Sequence, residues 1–152
     1  MKFSESGLKE ILSGLQLRAG KVKQVSAALT KLGKEEIYAA QIRIALTKMS
    51  PEGTPWTPWS EATKIARERD GTADTGLLYR SGALYNSFQL AINNNQVVVK
   101  NVAPYAQMLQ DGTPKMPARP FFGWSEESKQ RITVIFGDFL DKTVIKGEDY
   151  TG

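Results

Sequence analysis

The chain contains neither cysteine nor histidine. Without cysteine there is no disulfide, no thiolate metal site and no thiol nucleophile. Without histidine the usual general base near neutral pH and the commonest metal ligand are gone. A Ser–His–Asp triad, a zinc-protease helix and a histidine-bearing deaminase site are therefore excluded. Only lysine, tyrosine or carboxylate chemistry is left to an enzyme. No apolar run approaches the ~20 residues of a membrane helix. The opening Met1-Lys2-Phe3-Ser4-Glu5 lacks the apolar stretch of a signal peptide. The expectation is a protein that stays in the cytoplasm where it is made, with no membrane partner. The phosphate-loop signature is missing too, since Gly33-Lys34 is followed by Glu35. Asp70, Asp74 and Asp111 lack a supporting cluster at ligand spacing, so neither a metal site nor a cofactor is expected. Tyr79, Tyr85 and Tyr105 lie too far apart to read as a base-stacking platform.

What is present fits a folded domain. A length of 152 residues suits one domain with one core. The net charge of +4 is unevenly placed: Met1 to Ser50 hold nine Lys/Arg against four Asp/Glu, and the rest holds eleven against twelve. A basic third of this kind attracts nucleic acid or an acidic neighbour. Because its lysines are interleaved with Glu35 and Glu36, a solvated helix surface is the preferred reading.

Apolar periodicity sets out the elements. Leu8, Ile11, Leu12 and Leu15 make one stripe on a helix from about Ser6 to Arg18. A second helical stretch runs from about Lys21 to Met49. Val22, Val25, Leu29 and Leu32 form its first stripe, and Ile37, Ala40 and Ile44 an offset second one. Gly33 sits where the stripes change, which allows one bent helix or two. Pro51 ends helical geometry, because the residue before a proline is pushed out of the α region. Pro51-Glu-Gly-Thr-Pro-Trp-Thr-Pro58 holds three prolines and a glycine, so it is a loop. Ser60 or Thr57 can cap a short helix through Ala62 and Ile65, and Arg67 to Thr75 reads as an exposed loop.

A short helix is expected within Gly76–Ser87. Phe88, Leu90 and Ile92 alternate with Gln89 and Ala91, the period of a strand. The Asn93-Asn94-Asn95 turn and the returning Gln96–Val102 complete a hairpin. Tyr105 to Gln110 suits a short helix, followed by a turn at Asp111-Gly112-Thr113-Pro114. Pro117 and Pro120 hold Met116 to Phe122 extended, suited to an edge strand. Ser125 can cap a last helix, for which Glu126 and Glu127 match the positive end. Ile132, Ile135, Phe136, Phe139 and Leu140 form its stripe. The fold class is thus α+β: N-terminal helices and a C-terminal helix packed on a small, mainly antiparallel sheet with a central hairpin. As a single domain, 1–152 divides into a helical part (1–50), a motif-bearing part (51–125), the C-terminal helix (126–145) and a frayed tail (146–152).

Two constellations stand out as surface candidates. Trp56 and Trp59 in a rigid proline-rich loop offer large contacts at little entropic cost, or else cover the core as a lid. In Pro117-Ala-Arg119-Pro-Phe121-Phe122-Gly123 the side chains of an extended segment alternate sides. One phenylalanine can then enter the core while the other faces a neighbour. Arg119 can pair with a neighbour's carboxylate by two parallel hydrogen bonds, or with an internal one.

These same residues carry a resemblance. Pro51, Gly53, Trp56, Trp59 and Thr63 come first, then Leu78, Ser81, Gly82, Leu84 and Ser87. Pro104-Tyr105-Ala106, Gly112-Thr113 and Pro117-Ala118-Arg119-Pro120-Phe121 with Gly123 follow. In this order, over about Pro51 to Ser125, the chain resembles the phage virion morphogenesis family, the Mu-like tail completion proteins of tailed phages and prophages. It is more distantly similar to the wider head–tail connector families. It departs from the pattern in lacking the histidine that members often carry where this chain has Gln107 to Gln110, and Arg67 to Thr75 has no counterpart. The resemblance implies a structural virion protein of the neck or tail, without catalysis. The expectation built on it is a homo-oligomeric ring that completes the tail and joins it to the head, with neighbouring connector, neck and tail proteins as partners. Trp56, Trp59, Tyr105, Arg119, Phe121 and Phe122 are the expected interface residues, and the proline-rich segments the expected neighbour-reaching arms. The basic first third can face the DNA channel, without sequence preference, or an acidic connector. The alternative is a DNA-binding accessory protein that uses the basic N-terminal helices.

Overall fold

The computed structural model describes residues 22–93 and 96–148. The helix expected over Ser6–Arg18 lies outside them. The order of elements is α1 (Val22–Ile42), continued by a π turn (Arg43–Thr47), then α2 (Glu61–Arg69), a 3-10 turn (Ala73–Thr75) and the single-turn α3 (Ala83–Asn86). The hairpin strands β1 (Phe88–Asn93) and β2 (Gln96–Asn101), α4 (Ala106–Asp111) and α5 (Glu126–Glu148) follow. The class is α+β, with an antiparallel two-stranded sheet among the described residues. The chain divides into two compact units, Met1–Glu36 with Leu90–Lys100 and Glu126–Gly152, and Ile37–Gln89 with Asn101–Ser125.

In the first unit, Val25, Leu29, Leu32, Val97, Val99, Ile132, Ile135 and Phe136 are buried. They come from the helical stripes of α1 and α5 and from alternate positions of β2, as the two periodicities require. Phe139 and Leu140 lie outside the described side chains. Gly33 interrupts neither helix nor stripe. A methyl group added there would sit 2.4 Å from Leu90 Cδ1 and 2.9 Å from Val97 Cγ2. The glycine lets one unbroken helix lie directly against the hairpin, which decides between the two readings of this position. A helix interior glycine costs about 1 kcal/mol relative to alanine, and the close approach is what that cost secures.

Glu36 departs from the reading of a solvated helix surface. It is 1% exposed. Arg131 donates Nε (3.0 Å) and Nη2 (2.9 Å) to its Oε1, and Ser128 donates Oγ to its Oε2 at 2.8 Å. This triad joins α1 to α5 at the end of the apolar stripe. A buried carboxylate is tolerable because its acceptor sites are filled by a charged donor and a hydroxyl.

In the second unit, Ala40, Ile44, Trp56, Leu78, Leu84, Ala103, Ala106, Phe121 and Phe122 are buried. The helix closes in a π turn, where the Lys48 N–H reaches the Arg43 carbonyl at 3.0 Å and Lys48 takes φ 55°. Ser60 caps α2 by accepting the Thr63 N–H at 3.3 Å. Glu61 lies in its first turn and Arg67 and Arg69 in its last, each complementing the helix dipole. The stretch expected as an open loop from Arg67 is half structured. Its first residues finish α2, and Arg67 Nη1 reaches Thr75 Oγ1 at 3.3 Å. Arg80 pairs with Asp70. The expected helix within Gly76–Ser87 shrinks to Ala83–Asn86.

Two other expectations change. Met116 to Phe122 is extended but joins no sheet among the described residues: the Met116 backbone pairs with Thr113, and the backbones of Arg119, Phe121 and Phe122 are engaged by Leu109 and the Gln110 side chain of α4 rather than by β1 or β2. The tail expected to fray from Lys146 remains helical through Glu148.

Candidate functional site

The site is built by two proline-rich segments of the second unit. Neither can pair as a regular strand, so their carbonyls need donors from side chains. The Trp56 indole N–H donates to the Pro120 carbonyl at 2.9 Å. In return Arg119 donates Nε to the Thr57 carbonyl (2.9 Å) and Nη2 to the Pro58 carbonyl (3.1 Å). The two segments are thus tied reciprocally across some sixty residues of sequence. The Trp59 indole donates to the Leu77 carbonyl at 3.1 Å and carries the entry to α2 onto the next segment.

Gln110 at the end of α4 acts as a short piece of strand. Its Oε1 accepts the N–H groups of Phe121 (3.1 Å) and Phe122 (3.2 Å), and its Nε2 donates to the Phe122 carbonyl at 2.8 Å. The Arg119 N–H donates to the Leu109 carbonyl at 2.8 Å. Arg43 Nη1 approaches the Phe121 carbonyl at 3.4 Å. Gly112, with φ 74° and ψ 177°, makes the turn that brings α4 against this segment. A Cβ there would lie 2.7 Å from the Ala118 backbone nitrogen. These angles belong almost solely to glycine.

The six expected interface residues separate into two groups. Trp56, Arg119, Phe121 and Phe122 are all at least 94% buried within the subunit. Both phenylalanines pack inward with Phe88, at ring-centroid distances of 6.1 and 6.0 Å. The expectation that one of the pair faces outward therefore fails. The main-chain turns between Arg119 and Gly123 are fixed by Gln110, so the pair departs from strict strand alternation. Within the subunit Arg119 meets the carbonyl oxygens of Thr57 and Pro58, and no internal carboxylate among the described residues. Its burial lowers the guanidinium pKa from its ordinary value. The proline-rich segments are bound to one another inside the subunit and do not extend from it as arms. Trp59 is half-buried, and Tyr105 is exposed at the start of α4.

The surface beside this frame holds a cleft of about 330 Å³. Leu78, Leu84 and Leu109 line it, with Arg67, Arg80 and the Tyr105 ring. Arg67 lies with Cζ 4.7 Å from the centre of the Trp59 ring, a cation–π arrangement. Burial, and then the charge of Arg80, lower its pKa. Gln110, Arg43 and Arg67 were not singled out by the sequence: a lone glutamine or arginine carries no spacing signal. Asp70 is engaged by Arg80 and Asp111 by Gln107. Among the described residues no three acids gather as metal ligands, and no helix is long and apolar enough to cross a membrane.

The model of the phage virion morphogenesis family matches residues 4–141, spanning most of both units. Searches of curated proteins and of solved structures returned no significant match.

Proposed function

The chain belongs to the phage virion morphogenesis family, and on that premise we propose that it is a structural protein of the neck or the head-proximal end of the tail. Copies close into a ring that completes the tail and joins it to the head. The family match over residues 4–141 is the observation that carries this reading. The geometry of the second unit supports it: the motif residues cross-tie a stiff frame, and a frame is what an assembly protein needs to present a surface. A ring requires two different surfaces of one subunit to meet head to tail. In this reading Tyr105 and Trp59 contribute to one of them. Trp56, Arg119, Phe121 and Phe122 hold that surface in shape from beneath. The partners are further copies of the chain and the adjoining connector and tail proteins, and no catalytic step is assigned.

Electron microscopy of lysates from a phage with an early stop codon in this gene tests the proposal. Filled heads beside separate tails place the protein at the joint, and overlong tails make it a length terminator. Normal joined particles refute the structural role. The uneven charge, nine Lys/Arg against four Asp/Glu in the first fifty residues, favours a second reading as a DNA-binding accessory protein. That reading demands steeply salt-dependent binding to arbitrary duplex, and absence of binding at low salt removes it.

A further inference from the structure

The cleft of the second unit has a chemistry that restricts its occupant. Its apolar part is Leu78, Leu84 and Leu109, beside the Tyr105 ring, and its charged part is Arg67 and Arg80. Arg67 stacks on Trp59 and donates to the Thr75 hydroxyl, and no carboxylate lies within salt-bridge distance of it among the described residues. Arg80 pairs with Asp70 at the surface, and such an exposed pair is worth little and is readily shared. The fitting ligand is an acidic segment with an adjoining aromatic side chain: carboxylates for the two guanidinium groups, a ring for the apolar lining. In this chain two consecutive acids followed directly by an aromatic residue occur at one place, Glu148-Asp149-Tyr150.

We propose that the cleft beside Arg67 and Arg80 receives the Glu148-Asp149-Tyr150 segment of a second copy of the chain. Each copy then offers one cleft and one acidic segment, the pair of unlike surfaces that a head-to-tail contact requires. The inference rests on the self-assembly reading, and it specifies which residues meet.

The test uses a fluorescent peptide of residues 144–152 and the full chain carrying Glu148→Lys, Asp149→Lys and Tyr150→Ala, so that its own segment does not compete. Anisotropy should show saturable binding that weakens with salt. Arg67→Glu with Arg80→Glu should weaken it at least about tenfold, the loss of a central charged contact. A peptide with Lys at positions 148 and 149 should bind that double variant better than the native peptide does, which a merely misfolded cleft would not allow. The native chain should self-associate in sedimentation, and the variant with the altered segment should do so more weakly. Binding no tighter than that of a scrambled peptide overturns the inference. So does binding indifferent to Arg67 and Arg80, or a native chain that stays monomeric while the peptide binds. None of these failures touches the neck or tail assignment, which the stop-codon particles decide separately.

Discussion

Replacing Gln110 tests whether a single side chain organises the candidate site. Its amide makes three hydrogen bonds to the backbone of Phe121 and Phe122. Alanine would remove all three of these bonds beside side chains that are 0% and 5% exposed. A net hydrogen bond contributes about 0.5–1.5 kcal/mol, and a buried orphan costs about 1–3 kcal/mol. Gln110 itself is half-buried, so water reaches part of the vacated space and the lower half of the range applies. Three bonds at the lower half of the net range give an expected loss for Gln110→Ala of roughly 1.5–3 kcal/mol. Gln110→Glu keeps the acceptor for both N–H groups but sets a carboxylate oxygen against the Phe122 carbonyl. It should fall between the wild type and alanine. Urea denaturation followed by tryptophan fluorescence reads this directly, because Trp56, Trp59 and Trp124 all lie in the second unit. A Gln110→Ala variant within about 0.5 kcal/mol of wild type, the range of an ordinary surface change, would refute the strand-mimic role.

Three further outcomes are expected. Glu36→Ala strands the Arg131 guanidinium beside a buried site and should cost about 3–5 kcal/mol, measured by circular dichroism of the helices. A smaller loss in the Glu36→Ala/Arg131→Leu pair would identify the stranded charge as the cause. Gly112→Ala meets both a glycine-only backbone geometry and a backbone atom 2.7 Å away. It should lower stability by about 3 kcal/mol or more, whereas Gly71→Ala, with nothing within 4 Å, should lose only about 1–2 kcal/mol. Arg119→Lys cannot make the paired contacts to Thr57 and Pro58. Both it and Arg119→Ala should reduce phage titre, by loosening the frame; full infectivity of Arg119→Ala would dismiss that role.

The elements were legible where a single period governs a segment. The stripes of α1 and α5, the alternation of β1 and the cap at Ser60 are local consequences of backbone geometry, and each occurs where the pattern places it. The proline-rich segments were legible as extended for the same reason, since proline fixes its own angle and restricts its neighbour. Their destination was not. Whether an extended segment leaves the subunit or folds back depends on donors sixty residues away, and nothing in Trp56-Thr-Pro-Trp59 or Ala118-Arg-Pro-Phe121 names the other as its partner. The same limit applies to Glu36 and Gln110. One reads as a surface acid and the other as a polar helix end until α5 and the Phe121–Phe122 backbone come into place.

By itself, then, the sequence determined the α+β class, the exclusion of histidine and cysteine chemistry and the order of motifs that marks the family, because these depend on composition and short-range spacing. Tertiary structure alone decided that both phenylalanines turn inward, that Arg119 serves two carbonyls, and that Arg67 and Arg80 share a cleft. Those outcomes rest on how distant backbone groups without strand or helix partners find donors, and such pairing is a property of the folded chain.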